Sequence, residues 1–95
     1  MFVEGYTTAP VTRETLAAAM TGLAAHLALR AYDAPVIFSP GDTGRPDNQG
    51  FDAFLPLVDS GLSVYYWSSA GFVSILLYTC KGFDAAAAID YARQA

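Results

Sequence analysis

Three apolar segments separated by very short turn signals dominate the second half of this sequence and most constrain its fold. The sequence predicts strands over Phe51–Val58, Leu62–Trp67 and Phe72–Cys80, because each run is rich in aromatic and branched residues. The stretches between them, Asp59-Ser60-Gly61 and Ser68–Gly71, have the composition of turns. Connections this short join antiparallel neighbours, so we expect an antiparallel sheet here.

The remaining segments predict two helices and two further strands. Leu16, Met20, Leu23 and Leu27 recur at helical spacing, and Thr12 can cap a helix that starts beside them. The predicted order β-α-β-β-β-β-α over residues 1–95 indicates one α+β domain: a two-layer α/β sandwich, with a mostly antiparallel sheet and both helices on one face. The other predicted segments are a strand at Phe2–Thr8, a helix at Arg13–Arg30, a strand at Pro35–Ser39, a loop at Pro40–Gly50 and a helix at Ala85–Gln94.

The composition points to a partner. Hydrophobic residues make up 54% of the chain and charged residues only 15%, below the usual quarter. A domain of this size has too little interior for so much apolar surface, so we expect a homodimer interface or a ligand pocket. We also expect the sheet face opposite the helices to be covered, because Tyr65, Trp67, Phe72 and Tyr78 lie on its strands.

Charge and single residues exclude several classes of function. The net charge is −4 and the five basic residues are scattered, so neither nucleic acid nor a membrane surface is an expected partner. The single cysteine excludes a disulfide framework, His26 is the only histidine, and the carboxylates follow no metal-ligand spacing. We therefore expect no metal. With no signal-peptide pattern at the start, a cytoplasmic protein is the expectation.

The stretch from Asp59 to Asp84 carries a longer pattern and reads DSGLSVYYWSSAGFVSILLYTCKGFD. Without a gap, it resembles the central motif of the bacterial and archaeal S-adenosylmethionine decarboxylases, approximately E-S-H-(L/I)-(S/T)-I-H-T-W-P-E-Y-G-Y followed by a strand that ends in F-T-C-G. Asp59-Ser60 falls on the Glu-Ser pair where that family cleaves itself, and Trp67, Gly71 and Cys80 fall on its tryptophan, glycine and cysteine. The resemblance runs from Gly50 to the end of the sequence.

This resemblance implies a specific chemistry. In that family the serine attacks the preceding carbonyl, the chain splits, and a pyruvoyl group caps the new N-terminus. The pyruvoyl ketone then forms a Schiff base with the substrate amine and acts as an electron sink. By the resemblance, Ser60 would become the pyruvoyl group and Cys80 would be the proton donor. The residues predicted to contact substrate are Leu62, Tyr66, Trp67, Ser69 and Phe54.

Several positions depart from the family pattern. Tyr65 replaces a histidine that assists processing, and tyrosine is a poor base near neutral pH. Asp52 replaces a processing serine, Gly61 replaces the histidine beside the cleavage serine, and Ser69 replaces the acid that holds the ribose hydroxyls. Two processing helpers and one substrate ligand are thus absent.

Three functions follow from these residues. The first in rank is an unprocessed relative without a pyruvoyl cofactor, a lyase or cyclase in polyamine or secondary metabolism, with Tyr65, Tyr66, Asp52, Asp59 and Cys80 as acid, base and dipole groups. The second is a genuine pyruvoyl-dependent decarboxylase cut at Asp59-Ser60. The third is a non-catalytic binding or regulatory module. A structural explanation also stands beside each residue: Ser60 in a turn, Cys80 in the core and the aromatic residues in packing.

Overall fold

In the computed structural model, which describes residues 1–39, 49–79 and 85–94, the predicted order of elements is confirmed. Most of the predicted loop at Pro40–Gly50, as well as Cys80, lies outside these residues. The elements are β1 (Phe2–Tyr6), α1 (Arg13–His26), β2 (Val36–Phe38), β3 (Gly50–Leu57), β4 (Ser60–Trp67), β5 (Phe72–Thr79) and α2 (Ala85–Gln94).

The five strands form one antiparallel sheet in the order β1-β5-β4-β3-β2. The α+β class and the antiparallel sheet are therefore confirmed. The turn between β3 and β4 differs from the prediction, because it is formed by Val58 and Asp59 and β4 already begins at Ser60. Asp59 takes the left-handed conformation with φ 57, which short polar side chains tolerate, and this lets Ser60 pair with Leu57.

Pro56 lies inside the sheet without breaking it. Its carbonyl accepts a hydrogen bond from the backbone N–H of Tyr32, on the side away from β4. Because N and O of one strand residue point the same way, the missing N–H of Pro56 also faces away from β4 and removes no β3–β4 bond. The sheet tolerates Pro56 here because β2 pairs only with residues 52–54 of β3 and requires no hydrogen bond from residue 56.

Helix α1 ends four residues before the predicted Arg30. The Leu29 N–H donates to the carbonyl of Ala24 and the Ala28 N–H donates to that of Ala25, which is the hydrogen-bond pattern of a Schellman cap. Ala28 occupies the left-handed position with φ 57, where glycine is usual. The sequence therefore offers no glycine to mark the end, and this explains the error. At the other end, the predicted cap is confirmed, because the Thr12 hydroxyl accepts from the Thr15 N–H.

Strand alternation gives the sheet two different sides. We call the side under the helices the helix face and the opposite side the open face. The core lies on the helix face, where α1 and α2 pack on the sheet. Its buried residues are Leu16, Met20, Leu23, Ala24, Leu29, Ala53, Leu55, Leu57, Leu62, Val64, Leu77 and Ala88.

The open face is apolar and is exposed in the single chain, so the expectation that it is covered stays a prediction. Of the nine large hydrophobic residues that are exposed among the described residues, only Tyr32 lies outside the strands of this face. The other eight are Phe2, Tyr6, Val36, Phe38, Phe54, Tyr65, Leu76 and Tyr78. Within the described parts of the chain, both helices lie on the other side, so nothing covers this surface.

Candidate functional site

A line of polar side chains crosses the middle of the open face. Tyr65 lies directly opposite Asp52 on one side and Ser74 on the other, and Ser74 lies opposite Glu4. We call these four residues the polar row. Cross-strand neighbours have Cβ atoms about 5 Å apart, so the row spans about 14 Å across four strands. It places two carboxylates at the ends of a line that holds a phenol and a hydroxyl.

An aromatic row borders the polar row on one side. The rings of Tyr6 and Phe72 meet edge to face at 5.5 Å, and the rings of Trp67 and Phe72 are 5.4 Å apart. These three residues are cross-strand neighbours. Each lies two residues along its strand from a member of the polar row and therefore on the same face. Their contacts hold three aromatic rings side by side along the border.

The residues along the other border of the polar row are mostly apolar, with one small serine among them. Phe2, Leu76 and Phe54 lie on this side, with Ser63 between the last two. A Cβ placed on Gly61 would come within 3.0 Å of the Phe54 ring, so the glycine makes room for that ring to lean across the face. Because serine side chains form the floor between taller aromatic neighbours, Ser74 is only 6% exposed. We call the polar row, together with the aromatic and apolar residues that border it, the trough.

The charged side chains of the trough are acidic. Glu4 and Asp52 are both exposed, and the five strands place no lysine or arginine on this face among the described residues. The walls present aromatic rings, whose faces attract cations. The arrangement therefore suits a positively charged or zwitterionic flat molecule.

Ser60 lies on the opposite side of the sheet from Tyr65. The two residues are five apart in one regular strand, and successive side chains of a strand alternate between faces. On the helix face, the half-buried Ser60 hydroxyl donates a 2.7 Å hydrogen bond to the Thr79 hydroxyl oxygen. The structure therefore separates Ser60 from the polar row.

Two further predicted substrate contacts, Leu62 and Tyr66, also lie on the helix face. Leu62 is 0% exposed, belongs to the core and borders the cavity beneath the helices, so it is not part of the open face. Tyr66 is 7% exposed and its ring stacks on Phe51 at 6.3 Å. Its position is that of a packing residue that also lines a cavity beneath the helices.

The remaining predicted site residues lie in turns or outside the described chain. Asp59 is exposed in the β3–β4 turn and Ser69 is exposed in the β4–β5 turn, at opposite ends of β4. Cys80 lies outside the described residues, so its role as proton donor stays a prediction. The structure thus unites Asp52, Tyr65, Trp67 and Phe54 on the open face.

Two members of the polar row, Glu4 and Ser74, were not predicted from the sequence. Glu4 belongs to a strand far away along the chain, and only the pairing of β1 with β5 brings it opposite Ser74. The alternation of β1, with Phe2, Glu4 and Tyr6 on one face, is a weak local signal for that face. Nothing local specifies the partner strand.

Two other features are absent from the described residues. These residues contain no group of three or more histidine, cysteine or acidic side chains placed to hold a metal ion. No helix within them has both the length and the apolar character needed to cross a membrane.

Comparison with known proteins returned no match. No protein-family model, no curated protein and no solved structure is significantly similar to this chain.

Proposed function

We propose that this chain is an uncut S-adenosylmethionine decarboxylase-like domain that binds a flat, cationic small molecule of the S-adenosylmethionine class on its open face. The observation that carries the proposal is the polar row, with Glu4 and Asp52 at its ends and aromatic walls beside it. The resemblance between residues 59 and 84 and the decarboxylase motif supplies the ligand class.

The chemistry of the trough favours a cation with an attached ring. An ammonium or sulfonium group over an aromatic face gains roughly 0.5–2 kcal/mol, depending on how dry the site is. The carboxylates of Glu4 and Asp52 add direct attraction of opposite charge. A purine-like ring can stack on Trp67 or Phe72 while the charged group lies over the polar row.

The position of Ser60 supports an uncut chain. Its hydroxyl donates to the Thr79 hydroxyl oxygen, which is a much weaker base than the imidazole or carboxylate that would activate a serine nucleophile. The residues that replace the processing helpers, Tyr65 and Asp52, lie on the other face of the sheet. A domain arranged in this way works without a pyruvoyl group.

The pairing of Asp52 with Tyr65 favours catalysis as a second candidate function. A carboxylate beside a phenol can pass a proton to or from a bound substrate, as in a lyase or cyclisation step without a cofactor. Both side chains are exposed on the trough and therefore accessible to a ligand.

We also propose that the functional unit is a homodimer. Six exposed aromatic residues on the open face offer about 700 Å² of accessible surface, taking about 200 Å² for each side chain. A standard interface buries about 800 Å² on each partner. A second copy with the same surface would cover this area, and the ligand would then lie between the two sheets.

Calorimetry with two matched ligands tests the proposed function. S-adenosylmethionine carries a sulfonium charge, whereas S-adenosylhomocysteine has the same adenosine and amino acid but a neutral sulfur. We expect S-adenosylmethionine to bind at least about tenfold more tightly, a difference of about 1.4 kcal/mol. Asp52→Asn and Glu4→Gln should each reduce this preference, and Asp90→Asn, on exposed α2 surface, should not.

Two outcomes would count against binding at the polar row. One is equal affinity for both compounds, and the other is a loss of preference in Asp90→Asn as large as the loss in Asp52→Asn or Glu4→Gln. Product analysis after incubation with S-adenosylmethionine separates the catalytic candidate from binding. Loss of turnover with unchanged affinity in Tyr65→Phe would support catalysis. Unaltered ligand after prolonged incubation with the unmodified chain would leave binding as the function.

A further inference from the structure

A cavity lies beneath the helices, on the side of the sheet away from the polar row. Its volume is about 590 Å³, within the range of small-molecule sites. Strands β1, β4 and β5 form its floor, α1 and α2 form its roof, and the segment 7–11 forms its mouth. Its interior side chains are apolar and include Val3, Leu16, Met20, Val64, Ile75 and Ile89.

An empty space of this size is unusual in a small domain. Protein interiors are close-packed, and voids larger than a water molecule are few. The side chains that line such a space lose dispersion contacts on one side. The cavity is open at its mouth, and an apolar molecule that enters it displaces water and restores those contacts. The lining therefore favours a ligand with a hydrocarbon body.

The charge at the cavity is carried by Arg93. It is exposed, it lies in the last turn of α2, and it is the one basic residue among the described lining residues. Glu4 also borders the cavity, but strand alternation directs its carboxylate to the open face. The hydroxyl-bearing residues Thr7, Thr8 and Thr15 add polar groups along the border. A guanidinium next to an apolar space is suited to a carboxylate with a hydrocarbon tail.

We infer that the helix-face cavity binds an amphipathic carboxylic acid, with its alkyl chain among the core side chains and its carboxylate at Arg93. This site is separate from the polar row and does not depend on the proposed function. Each pair of added methylenes buried in the cavity tightens binding about tenfold.

Titration of the full chain with octanoate, decanoate and dodecanoate, below their micelle-forming concentrations, tests the inference by calorimetry. Decanol and decylammonium serve as probes with the same tail and a different head group. We expect affinity to rise with chain length and decanoate to bind more tightly than decylammonium. Arg93→Gln should weaken decanoate about three- to tenfold and leave decanol unchanged. Arg30→Gln, which removes an exposed charge elsewhere, is the control.

A pair of variants on one helix tests the location. Ala19 lines the cavity, and the neighbouring Ala18 is exposed and does not. Ala19→Leu should fill part of the space and weaken every probe more than tenfold, whereas Ala18→Leu should have no effect. The inference is overturned if no alkyl carboxylate binds, if decylammonium binds as tightly as decanoate, or if both leucine variants act alike. Binding of S-adenosylmethionine should be the same in both variants, so this test fails or succeeds apart from the earlier one.

Discussion

Ser60 and Thr79 lie side by side at one end of the sheet, where the Ser60 hydroxyl donates a 2.7 Å hydrogen bond to the Thr79 hydroxyl oxygen. We predict that Ser60→Ala lowers the free energy of unfolding by about 1 kcal/mol, the typical net contribution of one hydrogen bond. Denaturant unfolding measures this effect, with Ser63→Ala on the open face as the control.

Intact-mass spectrometry of the unmodified chain should show one species of 10.1 kDa. Two fragments that result from cleavage between Asp59 and Ser60 would contradict the uncut state.

Association through the open face should depend on individual aromatic residues. Tyr78 lies on this face and is 67% exposed, whereas Tyr32 is 69% exposed and lies outside its strands. We predict that Tyr78→Lys weakens the dimer at least tenfold because it places a charge within an apolar interface, and that Tyr32→Lys does not. Sedimentation analysis over a range of concentrations checks both. A monomer at every concentration, or equal effects of the two variants, would refute the face-to-face dimer.

Ligand and dimer should be coupled through charge. A second copy on the open face would remove water from Glu4 and Asp52, which is unfavourable unless a positive charge compensates. We therefore predict that saturating S-adenosylmethionine strengthens dimerisation by at least fivefold and that S-adenosylhomocysteine has a smaller effect. The measurement is the dimer dissociation constant with each compound. An identical constant with both would show that charge in the polar row does not control association.

Two glycine substitutions at the end of helix α1 should change the free energy of unfolding in opposite directions. Ala28 has φ 57, where an L side chain is disfavoured, and Ala25 lies in the last turn of the helix, where glycine is unfavourable. We predict that Ala28→Gly raises the free energy of unfolding by about 0.5–1 kcal/mol. Ala25→Gly should lower it by about 1 kcal/mol. Thermal and denaturant unfolding check both, and effects of equal sign would show that the helix does not end in this cap.

Gly50 and Gly5 provide a matched pair within the sheet. Gly50 has φ +151, and a Cβ there would lie 1.8 Å from the backbone oxygen of Tyr66, whereas a Cβ on Gly5 would meet nothing within 4 Å. We predict that Gly50→Ala destabilises the chain by about 1–3 kcal/mol, the usual range for a strained backbone conformation. Gly5→Ala should be neutral or slightly stabilising. Comparable losses in both variants would contradict the pairing at the start of β3.

The sheet was largely predictable because its signals are local. Residues 51–79 contain three runs rich in aromatic and branched residues. The short turns between these runs leave antiparallel pairing as the only simple arrangement. The errors came where a local rule was satisfied by an unusual residue. Ala28 closes α1 in a position where glycine is the usual signal, and Asp59 forms the turn with Val58 so that Ser60 joins the strand.

The candidate site was only partly predictable. Asp52, Tyr65, Trp67 and Phe54 share a face, as alternation within β3 and β4 requires. Ser60 was grouped with Tyr65 from the family motif, but an odd spacing in a regular strand places two side chains on opposite faces. The contribution of Glu4 depends on pairing between the two ends of the chain, for which a single sequence contains no local signal.

The unbroken pairing of β4 with β3 and β5, from Ser60 to Trp67, has a consequence for engineering the chain. Inserting or deleting one amino acid within this strand would turn every later side chain to the reverse side, so that Tyr66 would exchange places with Tyr65. Single-residue length changes are therefore tolerable only in the hairpin loops, and residues added within a strand must be added in pairs.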